Sequence, residues 1–141
     1  EKLSARGVDA NLKTEIATFR AEARFLRAFY YFLLFRQYGP VFIWGDNTPD
    51  LTIPNDEVDR HTVDECVKFI SDELSLAAAD LPLKITDPSW YGRATKGAAL
   101  AAKSRLMLYA ARPLFNGASL YKGMKNHYGK ILLLLNIFIR R

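Results

Sequence analysis

The sequence predicts an all-α protein whose three long helices are separated by long irregular loops. Apolar side chains recur at the i, i+3, i+4 spacing of a helix in three segments of the chain. Glycine or proline follows these segments, and threonines suited to helix capping precede two of them. At 141 residues, with half of them hydrophobic and a quarter charged, the chain has room for one globular domain or for a piece of a larger protein.

The first helix is expected from about Lys13 to Tyr38. The stretch from residue 25 to residue 35 carries a single charge, Arg27, among six aromatic residues. It is too short for the roughly 20 apolar residues that cross a bilayer, so we expect a core helix enclosed by the other two. Gly39 and Pro40 end it. The stripe expected to be buried consists of Ile16, Phe19, Ala23, Leu26, Tyr30 and Leu33.

The second helix is expected to follow a long loop over residues 40–61. Thr62 and Glu65 have the spacing of a capping box, in which each side chain accepts a hydrogen bond from the other's backbone N–H. Cys66, the only cysteine, cannot form a disulfide within the chain and is expected to be a buried structural thiol. The face expected to be buried is Val63, Cys66, Val67, Ile70, Leu74, Ala77, Ala78 and Leu81.

The third helix is expected from near Thr95, a suitable N-cap, to about Arg112, where Pro113 ends it. A break over residues 82–93 precedes it. The helix is rich in alanine, and small side chains allow another helix to approach closely. We therefore expect it to pack on the aromatic surface of the first helix.

An internal echo links the first and third helices. A small residue, an arginine, a tyrosine and a glycine recur at an offset of 78 residues. Stacked helix pairs would produce such an echo, and a chance match is the alternative. The two sets are Ala23, Arg27, Tyr31 and Gly39, and Ala101, Arg105, Tyr109 and Gly117.

The polar residues indicate neither catalysis nor a metal site. The net charge of +5 is spread along the chain, which does not favour a nucleic-acid partner. The acidic loop lacks the sixth-position glycine of an EF-hand, and His61 and His127 are isolated, so no metal is expected. No carboxylate pair suits glycan hydrolysis and no phosphate-binding loop is present, so we expect neither an enzyme nor a cofactor. The loop acids are Asp46, Asp50, Asp56, Glu57 and Asp59.

The candidate ligand-binding residues are three aromatic residues in loops, Trp44, Trp90 and Tyr91. Exposed aromatic rings are surfaces on which the faces of sugar rings stack. The alternative is that these rings cap the ends of the helical bundle.

Two arginines, Arg27 and Arg105, each lie one helical turn before a tyrosine. A buried guanidinium needs an acceptor, so we expect each to pair within the scaffold. The alternative is that their charged ends reach the solvent. The candidate partners are Glu22, Glu65 and Glu73.

Three stretches resemble, in order and spacing, the SusD/RagB family of surface lipoproteins from Bacteroidetes, over about residues 13–119. They are "AEARFLRAFYYFLLFRQYGPVFI", "RHTVDECVKFISDELSLAAADLP" and "GRATKGAALAAKSRLMLYAARPLFNG". The resemblance implies a scaffold of tetratricopeptide-like helical pairs that binds glycans or other nutrients and is not an enzyme. It also implies attachment to the cell outer membrane through a lipid anchor, and delivery of oligosaccharide to a TonB-dependent, SusC-like transporter.

The chain departs from the family at both ends. The resemblance does not extend to the lipid-bearing cysteine or to the long C-terminal part of family members. Residues 1–130 are therefore expected to be a scaffold fragment with little of the binding site, and the apolar tail 131–141, "ILLLLNIFIRR", to result from truncation. An aromatic surface left open on the first helix would lead to self-association. The alternative function is a generic helical-repeat module that binds a protein partner.

Overall fold

The computed structural model describes residues 10–46 and 60–115, which form three α-helices. Helix α1 spans Ala10–Tyr38, α2 spans Val63–Asp80 and α3 spans Lys96–Ala110. A single 3₁₀ turn, Pro88–Trp90, lies between α2 and α3. These two described ranges contain no strand. The predicted all-α class and the three predicted helices are confirmed.

The predicted caps of α2 and α3 and the predicted end of α1 are also confirmed, whereas α1 begins at Ala10 instead of Lys13 and α3 ends at Ala110, two residues before Arg112. The Thr62 N–H donates to Glu65 Oε2 over 2.8 Å and the Thr62 hydroxyl accepts from the Glu65 N–H, which completes the capping box. The hydrogen bond from the Thr62 backbone lowers the pKa of Glu65. Thr95 accepts from the Ala98 N–H at the start of α3. Gly39 follows α1 with a φ of 72°, a left-handed conformation that glycine adopts without strain.

Helix α2 is the central element, because it packs along both α1 and α3. Helices α1 and α3 contact each other much less, and their aromatic contacts lie near their C-terminal ends. There the Tyr109 ring stands edge-on to Phe32 and Phe35, with ring centroids 6.0 and 5.8 Å apart. Lys103 on α3 donates to the Ser75 hydroxyl on α2 over 2.8 Å. The expectation that α3 packs chiefly on the aromatic surface of α1 is therefore wrong, since α2 lies between them.

The described residues contain one large and one small apolar core cluster. The face of α2 predicted to be buried is buried at every position. The large cluster joins all three helices and consists of Ala28, Phe32, Phe35, Val63, Cys66, Val67, Ile70, Leu74, Leu106, Ala110 and Phe115. The small cluster allows close approach because most of its members are alanines: Ala21, Ala77, Ala78, Leu81 and Ala99.

The prediction of which face of α1 is buried is wrong. Phe19 is 48% exposed, Leu26 46% and Tyr30 59%, and the other members of the predicted stripe are exposed or half-buried. The buried face is the opposite one, formed by Ala21, Ala28, Phe32 and Phe35. Both faces of α1 are apolar at helical spacing, so the period alone could not tell which one packs on α2. Helix α1 is buried on one side and is not enclosed.

The 78-residue repeat seen in the sequence is also seen in which residues are buried. Three buried positions of α1 each have a buried counterpart 78 residues later on α3. The two tyrosines of the echo are both half-buried, and each hydroxyl bonds to the backbone: Tyr31 accepts from the Trp44 N–H, and Tyr109 donates to the Arg36 carbonyl, both over 3.1 Å. Repeated helical pairs explain this better than chance does. The buried pairs are Ala21 and Ala99, Ala28 and Leu106, and Phe32 and Ala110.

Several expectations lie outside the described residues. They are the domain boundary at 130, the tail 131–141, Gly117, His127 and the acidic loop beyond Asp46. His61 is described, and its Nδ1 accepts from the Ile43 N–H over 3.1 Å. None of the helices described in the structure has both the length and the hydrophobicity that a bilayer-spanning helix requires.

Candidate functional site in the loop between α2 and α3

The loop from residue 82 to residue 95 is closed at its base and ordered at its tip. The Lys96 N–H donates to the Pro82 carbonyl over 2.9 Å, which joins the two ends of the loop. At the tip, Asp87 accepts from both the Ser89 N–H and the Ser89 hydroxyl, over 2.9 and 2.7 Å. These bonds lower the pKa of Asp87, the Ser89 hydroxyl most strongly, and they start the 3₁₀ turn that holds Trp90.

Arg93 connects this loop to α1. Its Nε and Nη2 atoms donate to the two carboxylate oxygens of Glu22, over 2.8 and 2.6 Å. A bidentate pair of this kind fixes both distance and orientation. The two side chains are only 24% and 17% exposed, so the pair is partly shielded from solvent. Glu22 therefore orients the Arg93 guanidinium against the aromatic rings beside it.

The Arg93 guanidinium lies between two aromatic rings. Its central carbon is 4.2 Å from the Trp90 ring centroid and 4.9 Å from that of Phe19, within the range of cation–π attraction. Trp90 nevertheless remains 40% exposed. The loop thus presents an indole held in place from one side and open to solvent elsewhere.

A cavity of about 270 Å³ lies beside this indole. It is slightly smaller than the roughly 300 Å³ at which ordinary ligand pockets begin, so it suits a small ligand or one end of a longer one. Its walls combine an aromatic ring with a carboxylate, a guanidinium and hydroxyl groups, which can bond to sugar hydroxyls. The lining residues are Thr18, Glu22, Pro82, Lys84, Ile85, Thr86, Asp87, Trp90 and Arg93.

The three predicted ligand-binding residues do not share one site. Trp90 and the 67% exposed Tyr91 lie in this loop. Trp44 is half-buried, and its backbone N–H bonds to Tyr31. Tyr31 is 12 residues along α1 from Phe19, which corresponds to ~18 Å of helix. That Trp90 or Tyr91 contacts a ligand stays a prediction, and Trp44 belongs to a different part of the surface.

Sequence reasoning missed Arg93 as part of this site. Its adjacency to Trp90, Tyr91 and Gly92 was the available signal. Its partner Glu22 is 71 residues away in the chain, and no local spacing connects the two. The sequence predicts Glu22 only as a candidate partner for Arg27 or Arg105.

The predicted pairing of Arg27 is confirmed, and that of Arg105 is wrong. Arg27 Nη2 donates to Glu73 Oε2 over 2.6 Å, and Arg27 also bonds to the Gly45 carbonyl and to Asp46. The hydrogen bond to Asp46 raises the pKa of Arg27 and lowers that of Asp46. Arg105 is exposed and forms no ion pair with the residues that the structure describes.

No metal-binding cluster of His, Cys, Asp and Glu side chains occurs in residues 10–46 and 60–115. Cys66 is buried, as predicted, and its thiol lies 3.6 Å from the Val41 carbonyl. Burial raises the pKa of this thiol. A raised pKa disfavours the reactive thiolate, which is consistent with a structural cysteine.

Comparison with known families identifies the chain. A SusD-like family model, described as starch-binding and associating with the outer membrane, matches residues 1–108. The solved structure named BT4246 is 40% identical over 90% of this chain, with a TM-score of 0.73. A SusD-like protein from Bacteroides fragilis, BF3747, is 35% identical over 73% of the chain, with a TM-score of 0.62. No curated protein sequence shows a significant match.

A more distant solved structure supports the fold alone. Surface glycan-binding protein A from Bacteroides uniformis is 22% identical over 96% of the chain, with a TM-score of 0.60. The chain spans only 21% of the length of BT4246 and 19% of that of BF3747. The helical architecture and the match over residues 1–108 together show that this chain belongs to the SusD-like family of carbohydrate-binding, outer-membrane-associated proteins.

Proposed function

We propose that this chain is the helical scaffold portion of a lipid-anchored cell-surface protein that binds oligosaccharide and delivers it to a TonB-dependent, SusC-like transporter. The observation that carries the proposal is the family match over residues 1–108, described as starch-binding and associating with the outer membrane. The 40% identity to BT4246, over about a fifth of that protein's length, fits a scaffold that works within a longer chain. Its role is binding, not catalysis.

The loop cavity is the part of the chain best suited to contact the glycan. Trp90 offers an exposed ring for the apolar face of a sugar, and Arg93 and Glu22 offer a donor and an acceptor beside it. With a volume of about 270 Å³ it holds one end of an oligosaccharide and leaves the remainder to other surfaces. We therefore expect weak binding by this chain alone.

Intrinsic fluorescence tests the assignment, because the chain contains only two tryptophans. In Trp44→Phe, Trp90 is the sole indole, and millimolar malto-oligosaccharide should shift its emission in a saturable manner. In Trp90→Phe, the remaining Trp44 should not respond. A non-sugar osmolyte at equal concentration is the control. If Trp44→Phe is folded by circular dichroism and its emission does not change, Trp90 does not contact the glycan.

Delivery to a transporter is tested on the longer gene product that contains this chain. Affinity purification from outer membranes should recover a TonB-dependent transporter together with the tagged protein. In a separate experiment, malto-oligosaccharide resin should retain the tagged protein. Retention by the resin without the transporter would contradict delivery and leave glycan binding in place. Loss of both would instead favour the alternative of a helical module for protein partners.

A further inference from the structure

Helix α1 carries a second apolar face on which no other described helix packs, although the Arg93 guanidinium lies over the Phe19 ring. Its side chains follow a spacing of four, three, four, three residues over three heptads. The large members are exposed: Leu12 by 45%, Phe19 by 48%, Leu26 by 46%, Tyr30 by 59% and Leu33 by 38%. Ile16 and Ala23 complete the set. We call this set the α1 stripe: Leu12, Ile16, Phe19, Ala23, Leu26, Tyr30 and Leu33.

The α1 stripe is not the margin of the core. At 3.6 residues per turn its centre lies about 180° around the helix from the buried face that includes Ala28, Phe32 and Phe35. Helices α2 and α3 pack on that opposite side, so none of the described helices obstructs the stripe. A strict alternation of three and four residues, maintained over three heptads, is the pattern of a two-stranded coiled-coil seam.

The charged residues beside the stripe indicate which kind of helix can pack on it and in which orientation. Glu15 and Glu22 flank one side, and Lys13, Arg20 and Arg27 flank the other. Two parallel copies of α1 place the acidic side of one helix against the basic side of the other, whereas antiparallel copies place like charges together. The helix is therefore complementary to itself in the parallel orientation only.

Some of these charges are already engaged within the chain. Arg93 holds Glu22, and Glu73 holds Arg27. Glu15 and Arg20 are both exposed, and they are five residues apart, the separation that brings them together across a parallel seam. The attraction between copies thus comes from Glu15 of one helix and Arg20 of the other, once on each side.

We propose that the α1 stripe is a homodimerisation surface, on which a second copy of this chain packs in parallel as a two-stranded coiled coil. This inference does not depend on glycan binding, because the loop cavity and the stripe share no side chain and only adjoin where Arg93 lies over Phe19. The small Ala23 lies within the seam and lets the two helix axes approach closely. Gln37, one heptad beyond Tyr30, extends the register with a polar residue.

Sedimentation equilibrium on the 141-residue chain is the primary test. A monomer–dimer equilibrium is expected, and Leu26→Asp should weaken it by at least about tenfold, because each dimer then places two carboxylates in an apolar seam. Leu108→Asp is the matched control, since Leu108 is 69% exposed on α3 and lies outside the stripe. Equal effects of the two variants, or a monomer at all concentrations, would overturn the proposal.

Orientation is tested by Leu33→Cys at one end of the stripe, because a parallel, in-register pair places the two thiols opposite each other, whereas an antiparallel pair separates them by ~30 Å, the length of the stripe. Oxidation should then give a disulfide-linked dimer, while the buried Cys66 does not react in the folded chain. Charge exchange gives a second readout: Glu15→Arg alone should weaken the dimer, and Glu15→Arg with Arg20→Glu should restore it. Failure of the double variant to restore it, or no cross-linking, contradicts the parallel arrangement.

The apolar tail is the competing occupant of the stripe. If residues 131–139 cover it, the full chain is monomeric and removing them produces the dimer. That result would overturn the proposal for the full chain. A dimer that forms equally well with and without residues 131–139 supports it.

Discussion

Helices α1 and α3 occupy equivalent places in the repeat, yet they use their charged residues differently. Both bury a side chain at the positions occupied by Ala28 in α1 and by Leu106 in α3. One residue earlier, Arg27 is paired with Glu73 on α2, whereas Arg105 is exposed. The apolar positions of the repeat are thus shared, while the ion pair depends on what the neighbouring helix supplies. The core defines the scaffold, and the charges distinguish one repeat from the other.

The largest expected effect tests whether α1 and α3 contribute comparably to the large core cluster. Phe32→Ala and Leu106→Ala remove fully buried side chains from the same cluster, so we expect the free energy of unfolding to fall by about 3–5 and 2–5 kcal/mol, respectively. Urea denaturation measures both. Leu114→Ala, at a 42% exposed position, is the control and should change it by less than about 0.5 kcal/mol. A small effect for Leu106→Ala alone would show that α3 contributes little to the fold.

The next effect sharpens the contrast between the two arginines. Arg27→Ala leaves the Glu73 carboxylate, whose side chain is 10% exposed, without its main partner. We expect a loss of about 2–3 kcal/mol in the free energy of unfolding, less than for a fully buried pair because Arg27 is 27% exposed. Arg105→Ala should cost less than about 0.5 kcal/mol. Similar losses for the two variants would mean that Arg105 has a role that its exposure does not reveal.

The smallest effect is the part of the acid dependence of stability that comes from the Arg27–Asp46 pair. Arg27 holds the pKa of Asp46 below its ordinary value. A lowered pKa in the folded state contributes stability that is complete above the unfolded pKa and is lost as pH falls through the folded pKa. We therefore expect Asp46→Asn to reduce the fall in Tm below about pH 4.

The coupling to Arg27 provides the control for this pH effect. In the Arg27→Ala background, Asp46→Asn should change the pH profile much less, because the main cation that lowers the Asp46 pKa is gone and only the weaker attraction of Arg24 remains. Thermal unfolding followed by circular dichroism across the acidic range measures all four combinations. If Asp46→Asn has the same effect in that background, a group other than Arg27 is responsible for the lowered pKa of Asp46.

Helix α2 shows how much of the fold could be predicted from the sequence. Its capping box at Thr62 and Glu65 is a local motif, and its single apolar face leaves one way to pack, so both were predicted correctly. Helix α1 has two apolar faces, and the sequence does not indicate which one meets α2. The choice depends on contacts between helices, which helical period does not encode.

The candidate site was less predictable than the fold for a similar reason. Trp90 and Tyr91 were identified from residue type and loop position. The bidentate pair that positions Arg93 beside Trp90 joins residues 71 positions apart and exists only after α1 and the loop have come together. The same applies to Arg27, whose partner could be narrowed to three glutamates but not to Glu73.

The hydrogen bond between the Lys96 N–H and the Pro82 carbonyl has a consequence for how such proteins diversify. This hydrogen bond joins the two ends of the loop. It therefore fixes the distance between the end of α2 and the start of α3 independently of the length of the segment between them. Lengthening a surface loop costs little closure entropy, about 0.6 kcal/mol for each doubling. Relatives can therefore exchange the tip that carries Trp90 for another of different size and chemistry while the helices beneath it remain unchanged.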